Sequence, residues 1–122
     1  MLELTIHTVP VPAPRMTQAD RWKKRPCVLR YFNCKDSYRL GMGNGYELPG
    51  KGLSLEFHLP MAKSWSEKKK LAHDGQPHQQ KPDLDNLIKT FKDSFGEDSH
   101  VHEYGTMRKV WSKTGKVVIL SQ

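Results

Sequence analysis

Several things are scarce in this chain, and each scarcity closes a class of function. No apolar run approaches the ~20 residues that a membrane-spanning helix needs. The start, Met1-Leu2-Glu3-Leu4-Thr5, has neither the basic region nor the apolar stretch of a signal peptide, so a cytoplasmic location is expected. There are only two cysteines, Cys27 and Cys34, at a spacing that suits neither a zinc site nor a disulfide framework, so both are read as reduced thiols. Histidines occur at 73, 78, 100 and 102, but no cysteine partners them and their spacing matches no common zinc motif. Gly41, Gly43 and Gly45 lack the lysine and hydroxyl that make a glycine-rich loop a phosphate cradle, so they read as a flexible connection. Acid is scarce too: 13 Asp and Glu face 20 Lys and Arg, for a net charge of +7.

A small basic protein favours a polyanionic partner, and nucleic acid comes first. The chain has 122 residues, 36% of them hydrophobic and eleven aromatic, which supports a single globular domain over 1–122. Its core would be modest, and a homodimer would help to bury more surface.

Alternation of Leu2, Leu4 and Ile6 with Glu3, Thr5 and His7 predicts a half-buried strand over 2–9. Pro10, Pro12 and Pro14 end it and make Val9 to Pro14 an extended connector. A basic block follows: Arg15, Arg21, Lys23, Lys24, Arg25 and Arg30, opposed by Asp20 and enclosing Trp22. It reads either as a phosphate-contacting arm whose tryptophan can stack, or as a solvated loop whose tryptophan packs on the core. Residues 27–40 form the next expected helix, with Val28, Tyr31 or Phe32, Tyr38 and Leu40 on its apolar stripe. Leu53, Leu55, Phe57 and Leu59 mark a second strand, ended by Pro60. Ser64 and Glu67 have the spacing of a capping box for a short helix through Leu71, whose Lys68, Lys69 and Lys70 read as a solvated charge run. Residues 72–82 form a polar loop, in which His78 or Lys81 is a candidate phosphate contact. The final segments, 100–111 and 116–121, flank Ser112-Lys113-Thr114-Gly115 and predict a terminal antiparallel hairpin with a positive φ at the glycine.

The stretch Lys81-Pro82-Asp83-Leu84-Asp85-Asn86-Leu87-Ile88-Lys89 stands out. Leu84, Leu87, Ile88, Phe91 and Phe95 fall at i, i+3, i+4, i+7 and i+11, a buried stripe for a helix over 84–95. Asp83 then lies at the N-cap, Asp85 in the first turn, and Lys89 four residues on along the same face. Asp98 follows in Gly96-Glu97-Asp98-Ser99. Each residue has a plain role: cap, dipole complement, i,i+4 pair, turn. Together, three carboxylates in a basic chain suit a hard divalent cation, Mg²⁺ with Mn²⁺ as the alternative, which takes oxygen ligands and keeps several waters. Such an ion activates water and offsets charge on phosphorus, and Lys89 can face the scissile phosphate or the leaving oxygen. The basic surface captures backbone while the metal reverses the local charge.

Asp83-Leu84-Asp85-Asn86-Leu87, then Lys89, then Glu97-Asp98 and a strand with Tyr104, resembles the RusA-type Holliday junction resolvases, common in bacteriophages and prophages. The resemblance spans nearly the whole chain and is strongest over 81–104. It implies a homodimeric, Mg²⁺-dependent endonuclease that cuts four-way junctions symmetrically. It implies Asp83, Asp85 and Asp98, rather than Glu97, as metal-binding catalytic aspartates. Lys89 becomes the essential lysine and Lys81 a DNA contact. The Ala62–Gln80 segment is longer than in the bacterial prototype, which bears on cleavage-sequence preference. A four-way junction is itself near two-fold symmetric, and a C2 dimer offers two equivalent sites for its paired nicks.

The expected architecture is therefore α+β, a mixed sheet flanked by helices, dimeric, acting on branched DNA in recombination and repair. The rivals are a nuclease of similar site for forks or flaps, and a non-catalytic DNA-binding module.

Overall fold

A computed structural model of the chain describes residues 2–15 and 25–121. The expected phosphate contacts Arg21, Lys23 and Lys24, with Trp22, lie outside the described residues. Four strands and three helices follow in the order β1 (Leu2–Ile6), α1 (Pro26–Met42), β2 (Lys51–Pro60), α2 (Glu67–His73), α3 (Leu84–Asp93), β3 (Glu103–Ser112) and β4 (Lys116–Ser121). This is the expected α+β class. The strands form one mixed sheet in the order β1-β4-β2-β3. No described helix is long and apolar enough to cross a membrane.

β2 takes the centre because its alternation is the strictest in the chain. Leu53, Leu55, Phe57 and Leu59 are all buried, and burying side chains of this size stabilises by roughly 2 kcal/mol each. β4 pairs with β2 antiparallel, and β3 pairs with it in parallel. A parallel pair needs a crossover, and residues 61–102, carrying α2 and α3, supply it.

The terminal hairpin is overturned by this topology. β3 and β4 do not pair with each other, because β2 lies between them. Residues 113–115 instead step across the end of β2 at Pro60, whose nitrogen has no hydrogen to give. The step is roughly 10 Å, two strand spacings. Gly115 has no positive φ; its role is closeness, since a Cβ there would stand 2.6 Å from the Val9 Cα.

α1 and α3 cover one face of the sheet. Val28, Tyr31, Cys34 and Tyr38 form the buried face of α1, while Leu40, expected on that stripe, is 84% exposed. Leu87 and Phe91 from α3 are fully buried, with the Phe91 ring edge-on to Tyr38 at 5.2 Å. Two hydrogen bonds fasten α1 to the far end of α3: the Tyr31 hydroxyl donates to Asp93 at 2.7 Å, and Arg39 Nε donates to the Ser94 carbonyl at 2.8 Å. The connector before Arg15 is fastened to the near end, where the Ala13 N–H donates to the Asn86 carbonyl at 3.0 Å.

α2 starts two residues later than the capping-box spacing implies. Its cap is Ser66, not Ser64, and the Ser66 hydroxyl accepts from the Lys69 N–H at 3.2 Å. Trp65 closes a turn on the Ala62 carbonyl first, which brings its ring to Trp111.

Candidate active site

The acidic stretch opens α3, and helical geometry decides where each side chain points. Residues 85, 88, 89, 92 and 93 fall at i, i+3, i+4, i+7 and i+8, one face of the helix. That face forms a wall of a cleft of about 420 Å³, with Asp85, Lys89 and Lys92 along it. Asp98, from the loop after α3, and Tyr104, from β3, close the other side. Of the expected set, Asp85, Lys89 and Asp98 are thus brought together.

Asp83 is not in that cleft. Asp83 precedes the helix with extended backbone, so helical spacing does not carry it onto the Asp85 face; it lines a neighbouring hollow with Lys81, Asn86, Pro12 and Ala13. It stands at the N-cap position, yet its side chain makes no capping hydrogen bond, which leaves both carboxylate oxygens available. Lys81 lies beside it, exposed. Arg15 is exposed two residues beyond Ala13, and its carbonyl accepts from the Arg25 guanidinium at 2.8 Å, so two of the expected DNA contacts adjoin this hollow.

His78 does not lie where a phosphate contact requires. It is 6% exposed, its ring packed at a tilt against Trp111 at 4.1 Å, with its backbone N–H donating to the Lys109 carbonyl. Burial pushes its imidazole below the ordinary pKa, and the Lys109 ammonium adds to the effect. A neutral, covered ring is a packing residue. Lys109 has a positioning role that nothing in the local sequence signals. Its ammonium donates to the carbonyls of Gln80 and Pro82, pinning the entry of α3 to β3.

Three cleft residues were missed as site residues. Asp93 and Lys92 share the Asp85–Lys89 face, and helical spacing from Asp85 could have found them. Asp93 accepts from Tyr31, which ties the cleft to α1. Lys92 Nζ pairs with Asp98 at 3.2 Å and stands 5.6 Å from the Tyr104 ring centre. Tyr104 is the main cause that holds its ammonium above the ordinary lysine pKa; burial works against it, and Asp98 adds to the rise.

Tyr104 reaches the cleft through an irregularity in β3. Leu53 pairs with Tyr104 but Leu55 with Met107, so three steps of β3 face two of β2. A bulge of this kind re-aims a side chain, here moving Tyr104 onto the helix-covered face with Met107. The Thr106 N–H that the bulge frees is taken by the Ser54 hydroxyl at 2.8 Å. A Cβ at Gly105 would collide with that hydroxyl and stand 3.2 Å from the Gly52 carbonyl, so a larger residue must displace the Ser54 side chain that supports the bulge. An isolated glycine inside a strand pattern is the one signal the sequence carries for this device.

Among the described residues no three His, Cys, Asp or Glu side chains stand close enough to cage a metal ion alone. The donor chemistry still suits a hard divalent cation. Mg²⁺ is commonly held by one or two carboxylates plus substrate phosphates rather than by a full protein cage. Asp85 and Asp98 supply two carboxylates to one cleft, and Asp83 stands in the neighbouring hollow, two residues before Asp85 in the chain.

No curated protein and no solved structure matches the chain. A family model, endodeoxyribonuclease RusA, matches residues 37–120, a span that holds the cleft, all of α2 and α3, and three of the four strands. With the mixed sheet, the acidic helix and the matched span in agreement, the chain belongs to the RusA endodeoxyribonuclease family, a family of Holliday junction-resolving endonucleases.

Proposed function

We propose that this protein is a divalent-metal-dependent endodeoxyribonuclease that resolves Holliday junctions by paired, symmetric nicks, in DNA recombination and repair. The observation that carries the reading is the gathering of Asp85, Lys89 and Asp98 in one open cleft of a strongly basic member of this family. Asp85, Asp98 and Asp83 would hold Mg²⁺, or Mn²⁺ in its place. When bound, the ion supplies Lewis-acid stabilisation of the charge that develops on phosphorus.

The chain's own residues do the rest. Lys89 makes no ion pair among the described residues, so its ammonium is available to the phosphate or to the leaving oxygen. Lys92 is engaged by Asp98 and holds that carboxylate in place. The Lys109 bonds and the bulge at Gly105 fix the two walls relative to each other, which is the positioning a phosphodiester displacement needs. Lys81, Arg15 and Arg25 supply positive charge beside the Asp83 hollow, where the DNA backbone would run. Arg21, Lys23 and Lys24 extend that charge in the sequence. Two copies related by a two-fold axis would place one such cleft on each of two opposed strands. The protein would act in the cytoplasm of a bacterial cell, on host, phage or prophage DNA.

Incubating a synthetic four-way junction with the wild type and with Asp85→Asn in Mg²⁺ tests the reading. Paired symmetric nicks by the wild type, lost in the variant while junction binding survives, are expected. Equal nicking by both proteins would remove the cleft from the mechanism. Nicking of forks or flaps in preference to junctions would change the substrate, and binding without nicking by either protein would make the acids structural.

A further inference from the structure

At the end of β3 away from the cleft, a second group of side chains takes no part in that chemistry. The Trp65 and Trp111 rings lie 4.9 Å apart, and the His73 ring lies 5.0 Å from Trp65. With Lys69, Gln79 and Gln80 these rings line a hollow of about 270 Å³. The Lys69 ammonium stands 4.1 Å over the Trp65 ring.

α2, which forms one side of this hollow, has no buried residue. Its Leu71 is 67% exposed. The helix is held by rings at its two ends, Trp65 before it and His73 at its close, rather than by an apolar stripe in the core. It carries Lys68, Lys69 and Lys70 against the single acid Glu67, and Lys70 alone pairs with that acid, at 3.8 Å. Lys68 and Lys69 form no ion pair among the described residues, and both are exposed. Two ammonium groups outside any such ion pair, that of Lys69 lying over the Trp65 ring, make a donor-rich surface beside exposed glutamine amides, which suits phosphate oxygens.

Its position relative to the cleft is set by β3. Tyr104 borders the cleft, Trp111 borders the hollow, and the bulge puts both on the same face of the sheet. Between them the strand runs roughly 20 Å at about 3.3 Å per residue. At about 3.4 Å per base pair, that is some six base pairs of duplex.

We infer that the α2 surface, through Lys68 and Lys69 beside the Trp65–Trp111 platform, grips the sugar–phosphate backbone of a junction arm about six base pairs from the cut. This rests on the endonuclease reading for its geometry but on binding alone for its test. A positively charged second contact lets the protein distinguish an arm of sufficient length from a short stem. It adds affinity without touching the reacting phosphate.

The test measures binding in EDTA by fluorescence anisotropy, using four-way junctions with arms of four and of ten base pairs. The wild type is compared with Lys68→Ala/Lys69→Ala, whose altered side chains are exposed, and with Trp65→Phe. The wild type is expected to bind the ten-base-pair junction about tenfold more tightly than the short one, from two additional phosphate contacts. The double variant should lose that preference, and the slope of log K against log salt should fall by about two. Its single-turnover nicking at saturating junction should match the wild type, and Trp65→Phe should keep the arm-length preference. An unchanged salt slope and preference in the double variant would overturn the inference while leaving the nuclease reading intact. Arm-length-dependent binding by a wild type that nicks no DNA would uphold this surface and overturn the nuclease reading instead.

Discussion

Two carboxylates on this sheet-and-helix frame have opposite fates. Glu56, on β2, lies on the sheet face away from α1 and α3. One of its oxygens accepts from Arg108 Nε at 2.6 Å, and the other meets His58 Nε2 at 2.6 Å. The group is half-buried, which works to raise its pKa, but the bonds from Arg108 and His58 together hold it below the ordinary carboxylate range. Asp85, on α3, is exposed in its cleft and has no ion pair among the described residues. Glu56 is complete within the fold. Asp85 is incomplete without something from outside. A charge that the fold has already matched is structural; one that the fold presents, unmatched, in a concave site is where a ligand is expected.

The contrast makes Asp85→Asn the variant with the largest expected effect. Junction nicking should fall on the order of 10³-fold, with the thermal midpoint little changed, because no ion pair among the described residues is removed and only the interaction with the helix dipole is weakened. Glu56→Gln should do the reverse. It should cost on the order of 1 kcal/mol in denaturant unfolding and leave nicking at wild-type rate. A Glu56 variant that loses nicking before stability would dissolve the distinction.

Lys89→Ala comes next, with nicking down about 10²-fold and junction affinity little changed, as expected for a group that acts on the reacting phosphate rather than in capture. Single-turnover kinetics at saturating junction separate the two. A purely affinity-based loss would move Lys89 into the capture surface.

Gly105→Ala sharpens the comparison from the scaffold side. The new methyl meets the Ser54 hydroxyl that supports the bulge, so a loss of about 1–3 kcal/mol is expected together with roughly tenfold slower nicking as Tyr104 leaves the cleft. Gly105→Ala/Ser54→Gly should recover part of the stability. If nicking is untouched while stability falls, Tyr104 has no part in the site.

The smallest effect is in pH. The folded pKa of Glu56 lies below its unfolded value, so its contribution to stability is complete above the ordinary carboxylate pKa of about 4.3 and fades as pH falls through the lower folded value. Wild type and Glu56→Gln should therefore converge in stability as pH drops below about 4. A gap that persists there would mean that Glu56 acts by packing rather than by charge.

Periodic signals were legible in the sequence and contact-dependent ones were not. The α3 stripe and the β2 alternation stand as read, because each rests on a period that any burial of that face must respect. Asp85 and Lys89 share a face for the same reason. Carboxylate chemistry and the family resemblance group Asp83 with them, but it stands at the extended N-cap before the helix begins and lines the neighbouring hollow. The capping-box spacing pointed to Ser64, whereas the turn that delivers Trp65 to Trp111 leaves Ser66 as the cap. His78 reads as a polar loop residue, and only the ring of Trp111, far along the chain, makes it a buried one.

The sequence by itself determined the acidic helix, its buried stripe, the central strand and the shared face of Asp85 and Lys89, since these follow from residue types at short fixed spacings. Tertiary structure alone decided that β2 separates the last two strands, that Asp98, Lys92 and Tyr104 complete the cleft, and that Asp83 faces a separate hollow. Those outcomes depend on a parallel crossover, a bulge and side-chain contacts between residues far apart in the chain, and no local pattern encodes the geometry of such meetings.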